Sequence, residues 1–200
     1  MTVQIGIEFT SIKSKIPSGR SGDWIVEKFV VPKKSLEGSK CAMVGRDVPP
    51  GEYTRLVYRG WDTVMSDTPA EVKDHLPFFW KVEDCGTDIL MNGLGLGIAL
   101  QAVLLCDIKS VTVIEKSIDV ISLVFPYFDD QRIRIIHEDA FEYNPPKGMK
   151  YSHVWHDIWT NICSDNLPEM KKLKCKYARK TKWQGYWCEY ECRRINKYGR

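Results

Sequence analysis

Residues 88–115, DILMNGLGLGIALQAVLLCDIKSVTVIE, constrain this chain more than any other stretch. A short apolar run, Ile89-Leu90-Met91, leads into three glycines at alternate positions, Gly93, Gly95 and Gly97. An apolar run with helical character, Ile98 to Cys106, follows, then a second strand-like run, Val111 to Ile114, which ends on Glu115. Strand, glycine turn, helix and strand make one βαβ unit of a parallel sheet. Strands of such sheets are covered on both faces and therefore apolar nearly throughout. Glycine permits a tight turn and an approach unhindered by a Cβ. A helix start offers unpaired N–H groups, and ligands of open α/β sheets bind beyond the carboxyl ends of the strands. Glu115 stands at such an end, where a carboxylate can accept both hydroxyls of a ribose.

The dinucleotide fingerprint G-x-G-x-x-G/A does not fit. Its third small residue would fall on Ile98 or Leu100, depending on the frame. The tight G-x-G-x-G followed by a strand-end acid instead resembles the class I S-adenosylmethionine-dependent methyltransferases. The resemblance implies that Asn92, Gly93, Gly95 and Gly97 cradle the cofactor, that Glu115 with Lys116 holds the ribose, and that S-adenosylmethionine or S-adenosylhomocysteine is the ligand. Residues 117–128 read as a helix ended or kinked by Pro126. A third strand, Arg132 to Ile136, runs into His137-Glu138-Asp139-Ala140. In the family an acid here binds the exocyclic amine of adenine, which assigns that role to Asp139, with Ala140 leaving room for a flat ring.

Residues 1–80 have another texture. Short β-rich runs, Val3–Phe9, Trp24–Val31, Cys41–Val44 and Thr54–Tyr58 continuing to Met65, are separated by Pro17-Ser18-Gly19, Pro32, Gly38 and Pro49-Pro50-Gly51. They predict a small, mostly antiparallel subdomain with a hairpin turning at Arg59-Gly60. In MSDTPAEVKDHLPFFW, residues 65–80, Asp67 or Thr68 can cap a helix with Pro69 in its first turn. Glu71, Asp74 and His75 lie close on that helix, either as a lid over the ligand site or as a solvated connection. This layout, with an apolar Met91 two residues before the first glycine, is similar to the spermidine synthase branch of the class I fold.

The fourth strand, Tyr151 to Ile158, carries Asp157 at its end. In spermidine synthases the matching acid opens a D-x-x-D that handles the amine nucleophile. Here the run is Asp157-Ile158-Trp159-Thr160, without the second acid. Asp157 is the expected catalytic residue, and Glu71, His75 and Trp159 the expected acceptor or lid residues. His153 and His156 fall on opposite faces of the strand, and no metal site is expected. Asn144-Pro145-Pro146-Lys147 reads as a loop. After Ser164-Asp165, a helix with the stripe Leu167, Met170, Leu173, Tyr177 is expected. WQGYWCEYECRR is expected to be helical too, with Trp183, Trp187 and Tyr190 near one side. Residues 166–200 hold 11 Lys and Arg against 3 Glu, a charge suited to nucleic acid or simply to a solvated helix face.

The expected fold is therefore α/β: a Rossmann-like parallel sheet of class I methyltransferase type, with fewer than seven strands and a small β-rich N-terminal subdomain. Its parts are residues 1–80, a cofactor-binding core at 81–165 and a basic helical segment at 166–200. Composition is that of a soluble globular protein, 44% hydrophobic and 28% charged. No run of 18 apolar residues suits a membrane span, and the first residues lack the pattern of a signal peptide. Seven scattered cysteines fit free thiols in a reducing cytoplasm. The expected function is a methyltransferase acting on an unidentified acceptor. The alternatives are a non-catalytic adenosylmethionine-binding or interaction protein, a spermidine synthase-like aminopropyltransferase, and a nucleic-acid methyltransferase using the basic segment. Oligomeric state is open, a homodimer included.

Overall fold

The computed structural model describes residues 9–33, 46, 48–82 and 87–199. The expected run Cys41–Val44 and most of Val3–Phe9 lie outside these residues; Phe9 itself opens a 3-10 turn, Phe9–Ser11. The first sheet is antiparallel, in the order β1 (Gly19–Ser21), β2 (Trp24–Val31), β3 (Gly51–Tyr58) and β4 (Asp62–Ser66). β3 and β4 turn at Arg59 and Gly60, both in the left-handed region at φ 53° and 78°, as the expected break requires. Two short helices follow, α1 (Pro69–Asp74) and α2 (Leu76–Val82).

The second sheet is parallel and holds β5 (Asp88–Asn92), β6 (Ser110–Glu115), β7 (Ile133–His137), β8 (Tyr151–His156) and β9 (Thr181–Tyr186), in spatial order β7-β6-β5-β8-β9. The strands are joined by α3 (Ile98–Leu104), α4 (Ile118–Val124) and α5 (Asn166–Tyr177), and α6 (Glu189–Tyr198) closes the chain. The order reverses between β5 and β8, which is the switch point where open α/β sheets hold ligands. Ile89, Leu90, Val111, Val113 and Val154 are fully or almost fully buried. This is the continuous apolar character that a sheet covered on both faces demands. Phe78, Trp155 and Trp183 lie parallel to within 4° on one side of the sheet.

One expectation needs correction, and one pair of alternatives is resolved. Residues 181–186 are a strand, not helix: β9 pairs in parallel with β8, from Tyr151↔Thr181 to His156↔Tyr186. As an edge strand it needs an apolar residue only at alternate positions. Trp183 is partly buried while Lys182 is exposed, so no apolar run marks it. Asp67 is not a helix cap. It is 2% exposed, and its carboxylate accepts the backbone N–H of Ser14 at 2.9 Å and of Thr54 at 2.7 Å. It thereby pins residues 12–16 against β3, and Thr68 takes the N-cap position with no side-chain bond.

Removing Asp67 would leave two buried donors without acceptors, at about 1–3 kcal/mol each. Asp67→Ala is expected to lower the unfolding free energy by about 3 kcal/mol, read as a lower urea midpoint by circular dichroism.

Candidate functional site

The register of the parallel sheet brings the site together. Asn92 pairs with Ile114 on one side and His156 on the other. The residues that follow, Gly93, Glu115 and Asp157, therefore leave the sheet at one level. The end of β7 adds Asp139 two residues after His137. A cavity of about 290 Å³ lies over these ends. Gly93, Gly95, Ile114, Glu115, Lys116, Asp139, Ala140, Phe141, Asp157, Ile158 and Trp159 line it from below. Trp24, Leu56, Val64 and Met65 of the antiparallel sheet, with Glu71 and His75 of the α1 region, form the opposite wall, and Glu169 and Trp187 close one side.

Ten residues singled out in the sequence meet here: Glu71, His75, Gly93, Gly95, Glu115, Lys116, Asp139, Ala140, Asp157 and Trp159. Asn92 and Gly97 do not line the cavity. Asn92 is fully buried within the sheet, where its Nδ2 donates to Nδ1 of His156 at 2.8 Å. The glycines are also required by packing within the protein. A Cβ on Gly93 would run into the carbonyl oxygen of Asp157, one on Gly95 would stand 2.5 Å from the Met65 sulfur, and one on Gly97 would stand 2.5 Å from the Phe128 ring. All three have positive φ, 101°, 51° and 72°. They are bare because the protein itself packs against them.

Glu115 faces the site rather than bulk water. One carboxylate oxygen accepts the N–H of Leu94 at 2.9 Å and the other that of Ser117 at 2.7 Å. Burial raises its pKa, and these N–H groups oppose the rise. Asp139 accepts the N–H of Phe141 at 2.8 Å and pairs with Lys116 at 2.7 Å. Its partial burial works against ionisation, but Lys116 and the Phe141 N–H outweigh it and hold the carboxyl below the usual range. Glu71 reaches back to Ser66, accepting its N–H at 2.5 Å and its hydroxyl at 2.9 Å. Burial nevertheless raises its pKa.

At the far end stand Asp157 and His75. Nε2 of His75 is 3.9 Å from an Asp157 carboxylate oxygen, too far for a hydrogen bond. His75 is 1% exposed, and neither ring nitrogen has a hydrogen-bond partner. Burial lowers its pKa to about 4. Asp157 moves the other way: burial, followed by the carboxylates of Asp74, Glu71 and Glu115, raises its pKa to about 8. Between these values both groups are neutral, a histidine beside a carboxylic acid. Asp74 is drawn off by Arg46, which holds it through two hydrogen bonds of 3.2 and 2.8 Å.

The geometry is compatible with an adenosine-bearing ligand. Two carboxylates on neighbouring strand ends face one cavity, small Ala140 lies beside the second, and an unpartnered buried imidazole lies at the opposite end. Met65 fills part of the turn, since its sulfur accepts the N–H of Leu96 at 3.2 Å. The sequence reading treated Met65 only as the end of a strand. It also missed Trp187, assigned there to a helix, whose N–H donates to the His156 carbonyl at 2.9 Å, and Glu169, which accepts the indole N–H of Trp159 at 2.8 Å. No periodic pattern marks these contacts: Met65 and Trp187 meet partners 31 residues away, and Glu169 reaches Trp159 from the helix after its loop.

No protein-family model matches the chain, and no curated protein does. Solved structures similar to it include the spermidine synthase of Thermotoga maritima, 19% identical over 70% of this chain and 46% of that one, with a TM-score of 0.46. A Thermoplasma acidophilum protein is 14% identical over 59% and 58%, with a TM-score of 0.43. An S-adenosylmethionine-dependent methyltransferase of Mesorhizobium loti is 15% identical over 42% and 39%, with a TM-score of 0.36. The chain spans less than two thirds of the length of each. At these identities and TM-scores the reading of the site rests on its own geometry.

The Asp157 shift has a direct consequence. Its folded pKa of about 8 lies above the ordinary 3.8, so between these values the folded state binds a proton that the unfolded state has released. The resulting stability is full below pH 4 and is lost as pH rises toward 8, by at most about 1.4 kcal/mol per pH unit. Asp157→Asn is expected to flatten this decline. Urea unfolding of both proteins at pH 5, 6.5 and 8 checks it, and parallel slopes would rule out a buried protonated Asp157.

Proposed function

We propose that the cavity is the active site of a transferase that uses S-adenosylmethionine, with methyl transfer as the first reading. One observation carries it: Glu115 and Asp139, on adjacent strand ends, face one cavity beside a glycine turn. Neighbouring strand ends could take a ribose and its base side by side. When bound, the cofactor supplies a sulfonium carbon that is already electrophilic, so the protein's task is to hold the acceptor and manage its proton.

In this reading Glu115 accepts the ribose hydroxyls, its carboxylate already oriented by the Leu94 and Ser117 N–H groups. Asp139 accepts the exocyclic amine of adenine beside Ala140. Lys116, exposed and bound to Asp139, stays at the rim. Asp157 holds the nucleophilic atom of the acceptor and takes its proton in the fraction of molecules where its own carboxyl is ionised. A carboxyl with a pKa near 8 is a stronger base than an ordinary one and still ionises close to neutral pH. His75 flanks Asp157 as a neutral imidazole. Residues 81–165 hold the cofactor, the N-terminal piece closes over it, and the acceptor enters between Glu71 and Trp159.

The acidic character of one end favours a second reading, aminopropyl transfer from a decarboxylated donor to a diamine. Glu71, Asp74 and Glu115 all act on Asp157 electrostatically. A cationic tail and a cationic acceptor would relieve that repulsion, and Glu71 would serve in place of the acid missing at Thr160. Methyl- and aminopropyl-labelled donors, offered with amines, nucleic acids and protein extract, distinguish the two. Tight binding with no transfer from either would leave a non-catalytic binding protein.

Calorimetry with S-adenosylhomocysteine tests the seat itself. Glu115→Ala removes charge-assisted hydrogen bonds of about 1.5–3 kcal/mol and is expected to weaken binding at least about tenfold. Circular dichroism controls for the fold. Unchanged affinity would remove Glu115 from the site, and no binding by the wild-type protein would sink the reading.

A further inference from the structure

The strand order determines where the substituents of a nucleoside must point. Across the sheet the order β7-β6-β5-β8 places Asp139, Glu115, the glycine turn and Asp157 in succession, roughly 4.8 Å apart strand to strand. A base at Asp139 and a ribose at Glu115 therefore direct whatever the 5′ carbon carries onto the turn from Gly93 to Gly97. Met65 already occupies that place. It is 9% exposed, its sulfur accepts the Leu96 N–H at 3.2 Å, and the same sulfur abuts the bare Cα of Gly95.

Three neighbouring N–H groups of the turn are committed to partners fixed by the sheet or by the turn itself. Gly93 donates to the Ile114 carbonyl at 2.8 Å, Leu94 to Glu115 at 2.9 Å, and Gly97 to the Leu94 carbonyl at 2.8 Å. Leu96 donates instead to a thioether, a weak acceptor on a flexible, unbranched side chain. Charge acts in the same sense. Among the described residues lining the cavity, Lys116 is the only Lys or Arg. It lies at the opposite end on Asp139, whereas Glu71 and Asp157 face the turn end. An α-carboxylate arriving there meets carboxyl groups and a sulfur.

We propose that Met65 is the specificity-determining residue of this cavity: its thioether holds the position of an amino-acid tail. The cavity as folded then favours nucleosides with a short, uncharged or cationic 5′ substituent over those carrying an α-amino acid. A longer ligand binds only after Met65 rotates off the Leu96 N–H. This rests on the nucleoside seat proposed above and, of the two transfer readings, favours the one with the decarboxylated donor.

The test compares 5′-methylthioadenosine with S-adenosylhomocysteine by calorimetry, on the wild-type protein, Met65→Ala and the milder Met65→Val. The wild type is expected to bind methylthioadenosine about tenfold more tightly. Met65→Ala is expected to strengthen S-adenosylhomocysteine binding about tenfold while changing methylthioadenosine binding by less than about threefold. Met65→Val should move the ratio in the same direction. Equal or tighter binding of S-adenosylhomocysteine by the wild type overturns the proposal, even where Met65→Ala does not fold. So does a ratio unchanged in both folded variants. Failure of the wild type and the variants to bind either nucleoside overturns the nucleoside reading itself, and this proposal with it.

Discussion

The contact between Gly93 and the Asp157 carbonyl oxygen is the constraint on which the site depends. The N–H of Asp157 donates to the Asn92 carbonyl at 2.8 Å, extending the β5–β8 ladder one step past the strands. The chain at Gly93 must then turn with φ at 101° directly against the Asp157 carbonyl. Any side chain at 93 would have to push the two strand ends apart, and both the conformation and the space forbid it. With the ends of β5 and β8 held together, and the N–H of Gly93 bonded to the Ile114 carbonyl of β6, the carboxyls of Glu115 and Asp157 project from fixed positions on either side of the turn.

That placement brings carboxyl groups close together. Glu71, Asp74 and Glu115 each act on Asp157, and burial raises the pKa of all four. The protein limits the repulsion in three ways. Arg46 neutralises Asp74, backbone N–H groups bind Glu115, and Asp157 keeps its proton. His75 contributes no charge because its burial is complete. Clusters of shifted carboxyls in a cleft are what functional sites accumulate at the expense of stability. Here the imbalance is toward negative charge, and a cation entering the cavity would relieve it.

The parallel core was legible because its signals are local. Ile89-Leu90-Met91 and Val111–Ile114 are apolar runs that a doubly covered strand explains, Glu115 follows one directly, and Asp139 and Asp157 lie just past the next two strands. β9 was not legible, since Thr181, Lys182 and Gln184 interrupt its apolar pattern and its strand character comes from pairing with β8. The packing role of Gly93, Gly95 and Gly97 was hidden for a related reason. Sequence shows that a Cβ is absent, but not whether a ligand, a carbonyl, a thioether or a phenyl ring fills the space. Asp67 and Met65 were equally hidden. Their partners, Ser14 and Leu96, lie 53 and 31 residues away.

The cavity is built by two sources with separate responsibilities. The parallel sheet supplies the fixed carboxylates, Glu115 and Asp139, through its register. The antiparallel sheet and α1 supply Met65, Glu71 and His75, and these reach the site across a packed interface rather than through a ladder. The first group can change little without breaking strand pairing or the turn at Gly93. The second is set by side chains on one wall, and Asp67 ties that wall to residues 12–16. On the proposed reading, substitutions in the N-terminal sheet alter which ligands the cavity admits while leaving Glu115 and Asp139 in place. The opposite separation, with ligand choice following the parallel strands, would require β5 and β6 to move independently, and the hydrogen bonds at Gly93 oppose it.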